Sequence, residues 1–190
     1  MQELRFSTIA KPLAVFAVVL GAGIGMFGGF ALSASINCSH VTSFCQGTEG
    51  GDQIYGWDNQ NNIFGRGGHD QIWAYPGSDE VSGENDADSI NGGENNDYLF
   101  GNYGNDSYWV VGGNSGLYGG GGPDNLYGGV GEDFLEGNAS GDLMYGNEHS
   151  DVFYAEDGIG DGVDGNGATP GVAQHCYVDG YDTFANCTPH

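Results

Sequence analysis

The chain has 190 residues, 26 of them Asp or Glu and only 3 Lys or Arg, for a formal net charge of −23 at pH 7. So acidic a chain excludes nucleic acid as its main partner, because that affinity is carried by Lys and Arg contacts to phosphate. It admits cations, a basic partner, or an anionic surface bridged by a divalent ion.

Residues 1–34 are unlike the rest. Arg5 and Lys11 are two of the three basic residues. Leu13 to Leu32 is then uncharged and mostly apolar, with Gly21, Gly23, Gly25, Gly28 and Gly29 in it. This reads as an export signal, with Ala31-Leu32-Ser33 before Ala34 as a small-residue cleavage site. The apolar run is longer than a typical signal core, so an uncleaved membrane anchor is the alternative. A membrane contact is expected only in that second case. Either way the chain is expected to be secreted or held at the cell surface.

Residues 35–46 carry Cys38 and Cys45, and a repeat follows. Every ninth position from Asp52 reads Asp52, Asn61, Asp70, Asp79, Asp88, Asp97, Asp106, Ser115, Asp124, Asp133, Asp142, Asp151. Two residues further on stand Ile54, Ile63, Ile72, Val81, Ile90, Leu99, Tyr108, Leu117, Leu126, Leu135, Met144 and Phe153, read as a wholly apolar column. Four after the aspartate the residue is Gly, except at Ala74, Val110 and Ala155. Each unit is thus a Gly-rich turn ending in Asp, then a short extended piece whose middle side chain faces one way. One unit cannot bury its single apolar residue alone, so the units must stack.

The stretch Gly119-Gly120-Gly121-Gly122-Pro123-Asp124-Asn125-Leu126-Tyr127 resembles the RTX (hemolysin-type) calcium-binding nonapeptide, G-G-x-G-x-D-x-U-x. The resemblance spans roughly Gly47 to Ala155. It implies an all-β fold, a right-handed parallel β-roll solenoid of about twelve nonapeptide half-turns with small disulfide-closed caps. Two units make one turn, and Ca²⁺ sits between turns, held by Asp carboxylates and turn carbonyls. The roll is expected over 47–157, between an N-terminal cap at 35–46 and an acidic loop and C-terminal disulfide cap at 158–190.

Two units per turn put residues eighteen apart on one edge. The first edge carries Asp52, Asp70, Asp88, Asp106, Asp124 and Asp142 without exception. The second carries Asn61, Asp79, Asp97, Ser115, Asp133 and Asp151, and Val110-Val111 stands where the turn before Ser115 wants glycines. Asx turns alone would not select Asp over Asn so consistently. Oxygen ligands on flexible, carboxylate-rich turns suit Ca²⁺. About seven Ca²⁺ are expected, possible further ones being weaker: five on the first edge, and two at Asp79/Asp97 and Asp133/Asp151. Sites involving Asn61 or Ser115 are expected to be weaker. Stacked carboxylates ~5 Å apart repel by about 0.8 kcal/mol even in bulk water, so the roll is expected to fold only as the metal binds.

Beyond the last unit, Asp157, Asp161 and Asp164 fall one residue out of register. They are either a last, distorted calcium turn or an acidic loop. Cys176 and Cys187 follow. The ends of a six-turn roll lie about 29 Å apart, and disulfide Cα atoms must lie within ~7 Å. The expected pairs are therefore Cys38–Cys45 and Cys176–Cys187.

The side chains flanking each apolar residue face outward. One face shows Tyr55, Trp73, Trp109, Tyr127 and Tyr145, interrupted by Asn91; the other shows Phe64, Phe100, Tyr118 and Tyr154, with Tyr98 and Phe134 beside them. Such rows serve either as stacked ladders stabilising neighbouring strands or as an interaction surface for a glycan, a hydrophobic partner or a second copy. No H-E-x-x-H or G-x-S-x-G is present, and an enzyme is not expected. The sequence thus reads as an exported bacterial calcium-binding protein, structural or adhesive in role. The alternative is a soluble Ca²⁺-dependent binding factor for a glycan or protein, or an accessory subunit of a separate toxin or hydrolase.

Overall fold

A computed structural model describes residues 33–38, 44–165 and 174–190 of the chain. The leader read from residues 1–34 lies almost wholly outside them. Among the described residues every regular element is a strand, eighteen in all. Odd-numbered strands form one nine-stranded sheet, from β1 (Ser35–Asn37) through β9 (Ser107–Gly112) and β15 (Gly162–Asp164) to β17 (Thr183–Ala185). Even-numbered strands form the second, from β2 (Phe44–Gln46) through β10 (Gly116–Gly121) and β16 (His175–Val178) to β18 (Thr188–Pro189).

All pairing is parallel, and over the repeat residues face those eighteen further on, apart from a register shift where Gly93 meets Val110. Ile54 pairs with Ile72, Ile72 with Ile90 and Ile90 with Tyr108 in one sheet; Val81 pairs with Leu99 and Leu99 with Leu117 in the other. The chain is a parallel β-solenoid. The apolar residue of each unit points into the space between the sheets, and all twelve are at most 1 % exposed. Each contributes on the order of 1.5–3 kcal/mol by leaving water.

The solenoid is longer than twelve half-turns. The segments around both cysteine pairs join the same two ladders, β1 and β2 at one end and β15 to β18 at the other. Four of these six strands keep an inward apolar side chain, Ile36, Cys45, Val163 and Cys176, while β17 and β18 are exposed and close the end of the stack. Cys38–Cys45 and Cys176–Cys187 are both formed, with Cα separations of 5.4 and 5.9 Å. Cys45 and Cys176 are themselves core residues, 5 % and 0 % exposed.

Candidate metal centre

Eight of the turns, those ahead of Asp70, Asp88, Asp97, Asp106, Asp124, Asp133, Asp142 and Asp151, have two left-handed backbone positions, four and two before the aspartate. Ahead of Asp124 these are Gly120 (φ +110°) and Gly122 (φ +128°). Ahead of Asp106 they are Asn102 (φ +74°) and Gly104 (φ +149°). Glycine and Asn occupy such positions at least cost. The turn closes on the aspartate, whose side chain folds inward and is buried along both edges.

One carboxylate oxygen of each aspartate has a fixed task. Its Oδ1 accepts the backbone N–H of the residue eighteen positions earlier. On the first edge Asp52 N–H donates to Asp70 at 2.7 Å, Asp88 N–H to Asp106 at 2.7 Å and Asp124 N–H to Asp142 at 2.8 Å. On the second, Asp79 N–H donates to Asp97 at 3.0 Å and Asp133 N–H to Asp151 at 2.9 Å. Each turn is thereby tied to the next.

The other oxygen has no partner. Oδ2 of Asp70, Asp79, Asp88, Asp97, Asp106, Asp124, Asp133, Asp142, Asp151 and Asp161 is buried without a hydrogen bond. Asp52 differs, because its Oδ2 accepts the Thr48 N–H at 2.6 Å and the Thr48 hydroxyl at 2.9 Å. Eight of the orphan oxygens point into a notch beside the glycine five residues earlier; before Asp79 that position is the buried Ala74, and before Asp161 it is Glu156. A Cβ on Gly119 would lie 2.5 Å from Asp124 Oδ2 and 2.5 Å from the Gly137 carbonyl oxygen of the next coil. A Cβ on Gly128 would meet Asp133 Oδ2 at 2.7 Å and the Gly146 carbonyl at 2.9 Å. A carboxylate oxygen and a backbone carbonyl oxygen therefore share one small space. The donors are hard, oxygen-only and anionic, which fits Ca²⁺. Among the described residues no three His, Cys, Asp or Glu side chains cluster. A cation here is held by carboxylates shared with main-chain carbonyls, not by a side-chain cage.

Burial raises the carboxyl pKa of the ten aspartates with an orphan oxygen. Desolvation pushes Asp88 up to about 8, and Asp97, Asp124, Asp133 and Asp161 up to about 7. It holds Asp70, Asp79, Asp106, Asp142 and Asp151 at about 6. For Asp88 the Asp106 and Asp70 charges above and below add to the rise. A stacked, buried carboxylate at neutral pH thus calls for a proton or a cation.

The two edges differ as their residues do. The Asn61 amide donates to Asp79 Oδ1 at 3.0 Å and to the Trp57 carbonyl at 2.9 Å, closing its own turn. The Ser115 hydroxyl accepts the Asp97 N–H at 3.2 Å and brings no charge. Val110, 6 % exposed, occupies the glycine position of that same turn. Asp161, read as a weaker candidate, stands fully in the first column: its Oδ1 accepts the Asp142 N–H at 2.8 Å. Asp157 and Asp164 stand outside it. Asp157 is exposed and accepts the Ser140 and Ile159 N–H groups; Asp164 accepts the Asn186 amide at 2.7 Å.

Three residues escaped sequence reasoning. Asp182 ends the first column, accepting the Asp161 N–H at 3.0 Å. Gln174, 2 % exposed, ends the second, accepting the Asp151 N–H at 2.7 Å. Both lie beyond insertions that break the nine-residue phase, although each stands two residues before an inward side chain or one before a strand. Tyr108 sits in the apolar column, yet its hydroxyl reaches the first edge and donates to the Gly119 carbonyl at 3.3 Å. A Cβ on Gly101 would lie 1.7 Å from that hydroxyl, so the phenol fills much of the notch beside Asp106.

On the outer face Tyr55 stacks on Trp73 at 4.9 Å, Trp109 on Tyr127 at 6.2 Å and Tyr127 on Tyr145 at 5.0 Å, each pair within 6° of parallel. On the opposite face a ladder runs from Phe100 through Tyr118, Phe134 and Tyr154 to Tyr177. The rings spend their faces on one another and show mainly their edges to water.

A family model described as RTX calcium-binding nonapeptide repeat (4 copies) matches the chain in overlapping segments, residues 46–72, 73–108, 82–117, 111–143, 118–152 and 127–160. Together they cover more than half of the chain. No curated protein matches it.

Proposed function

The chain belongs to the RTX calcium-binding nonapeptide-repeat family, a Ca²⁺-binding β-roll module, and from that premise we propose that it is exported, folds as Ca²⁺ enters its turn columns, and then serves as a structural or adhesive element at the cell surface or in the extracellular matrix. One observation carries the reading: ten buried aspartates in two columns each leave a carboxylate oxygen without a protein partner. Such oxygens cost free energy unless a proton or a cation meets them. The ligands in this proposal are Asp70, Asp79, Asp88, Asp97, Asp106, Asp124, Asp133, Asp142, Asp151 and Asp161. Asp52 is a poorer ligand than its place in the column implies, since Thr48 already satisfies it. About seven Ca²⁺ would offset about fourteen of the 23 net negative charges and relieve the repulsion along each column.

The test is far-UV circular dichroism of the purified chain, titrated with Ca²⁺ from a chelated start, with Mg²⁺ as control. A cooperative coil-to-β transition with Ca²⁺ alone is the expected outcome. A β spectrum unchanged by chelator would refute calcium-driven folding. The aromatic rows favour the structural role, because stacked rings strengthen the ladders and leave few free faces for sugars. Light scattering after Ca²⁺ addition separates this from the soluble alternative. Self-association supports an adhesive element, whereas a monomer retained on a glycan array supports a binding factor. Catalysis has no part in this proposal.

A further inference from the structure

Strand β9 sends a polar atom through the apolar column. Its Tyr108 is 0 % exposed and pairs with Ile90 on one side and Leu126 on the other. The other members of the column carry no hydroxyl. In the notch beside Asp106 three oxygens meet. A Cβ on Gly101 would lie within 2.7 Å of the Tyr108 hydroxyl, Asp106 Oδ2 and the Gly119 carbonyl alike. We propose that this notch is the last calcium site of the first column to fill, held shut until then by the Tyr108 phenol. The proposal rests on the calcium reading above and adds an order of loading to it.

Other coils of the same molecule supply the comparison. Beside Asp70, Asp124 and Asp133, the atoms nearest the corresponding point belong to the aspartate and to one main-chain carbonyl of the next coil. Beside Asp151 an aromatic ring also approaches, but Phe153 ends in its Cζ, 2.8 Å from a Cβ on Gly146. A ring is thus accommodated at this place in a coil. The added oxygen of Tyr108 is what fills the space at Gly101.

The phenol opposes a cation in two ways. It occupies the space between carboxylate and carbonyl, and its hydroxyl donates to the Gly119 carbonyl at 3.3 Å, the carbonyl that a cation there would share with Asp106. A neutral hydroxyl brings no charge, however. The Asp106 carboxylate, buried with Oδ2 unpartnered, still favours a cation. Entry therefore requires the hydroxyl to give up its hydrogen bond and the ring to shift inside a close-packed core. Losing one such bond corresponds to about tenfold in affinity.

The second edge weakens at the same strand. Val110 stands two residues after Tyr108 on β9, and a Cβ on Gly92, beside Asp97, would meet its Cγ1 at 2.8 Å. The register between β7 (Ser89–Glu94) and β9 slips where Gly93 meets Val110. Both columns are interrupted at one strand, which sets the weak step in the middle of the stack and not at a fraying end.

The test uses the full chain. Bound Ca²⁺ is counted by native mass spectrometry at buffered free Ca²⁺, with far-UV circular dichroism recorded alongside. At least one ion is expected to bind about tenfold more weakly than the main class. Tyr108→Phe should move one ion from the weak to the main class with the total unchanged. Tyr108→Leu, the residue found at positions 99 and 117 of the column, should do the same without any ring. Asp106→Asn, whose amide oxygen can still accept the Asp88 N–H, should delete one weak ion and spare the main class. Weaker binding or a lost ion in Tyr108→Phe would make the phenol a ligand and overturn the proposal. So would unchanged titrations in both Tyr108 variants, or loss of a main-class ion in Asp106→Asn. A wild-type chain that takes up no Ca²⁺ would overturn the calcium reading with it.

Discussion

At the scale of single residues, the notch beside each aspartate is what the chain guards. Gly119 shows no left-handed φ, so its conformation alone does not require glycine; its surroundings do. In Gly119→Ala the new methyl meets the Gly137 carbonyl, a backbone atom that cannot swing aside, and blocks the approach to Asp124. The expected cost is about 1–3 kcal/mol of stability in Ca²⁺, with a higher calcium midpoint by circular dichroism. Gly180→Ala, which meets nothing within 4 Å, should leave both unchanged. The carboxyls make a second prediction. Burial pushes Asp88 up to about 8 and Asp124 up to about 7, above their ordinary 3.8. The folded state therefore holds protons more tightly than the unfolded chain. Its metal-free stability is fully present below the ordinary carboxylate range and falls as pH rises through about 6 to 8. In metal-free buffer the β signal should be larger at pH 5.5 than at pH 8. A signal that falls on acidification would mean that these carboxylates are not the groups resisting the fold.

At the scale of the strand and turn, Val110 and Ser115 form one unit. A side chain fills the glycine position and the carboxylate opposite is gone, so the second edge is divided between Asp97 and Asp133. Restoring one partner alone leaves either an open notch without its anion or an anion against a blocked notch. Val110→Gly with Ser115→Asp should add at least one bound Ca²⁺, counted by native mass spectrometry, while neither single change does. Such non-additivity is the mark of residues acting at one place. The same units show how far the sequence was legible. The nine-residue phase of aspartate and apolar residue places both columns, both sheets and the register, because each unit carries one inward carboxylate and one inward core residue. Legibility stopped where that phase slipped. Asp161 follows Asp142 by nineteen residues; the extra residue is absorbed in a turn and leaves the strands paired. Cys45, as the partner of Cys38, and Cys176, as the partner of Cys187, read only as disulfide residues, which hid their second role in the core. Gln174 kept only its place two residues before the inward Cys176, since a neutral amide at the end of an acid column breaks the pattern that defines it. The Tyr108 hydroxyl was hidden by reading its residue as apolar.

At the scale of the molecule, two physical effects of calcium need separating. The chain carries a net charge of −23, so any counterion weakens its self-repulsion, and at 1 M salt the screening length falls to about 3 Å. Screening, however, acts through water, while the orphan Oδ2 atoms are buried. A monovalent ion in bulk solvent neither replaces their hydration nor bridges a carboxylate to the carbonyl of the next coil. If repulsion alone keeps the metal-free chain open, 1 M KCl should fold it about as well as Ca²⁺. If unsatisfied carboxylate oxygens keep it open, KCl should leave it a coil, and millimolar Ca²⁺ should fold it even in that salt. The second outcome is expected, because ten partnerless oxygens lie inside the stack and nearest-neighbour coupling passes each defect to the adjoining coils. Circular dichroism in 1 M KCl with chelator, then with excess Ca²⁺, decides between them. A β spectrum before Ca²⁺ is added would move the governing cause from ligation to charge.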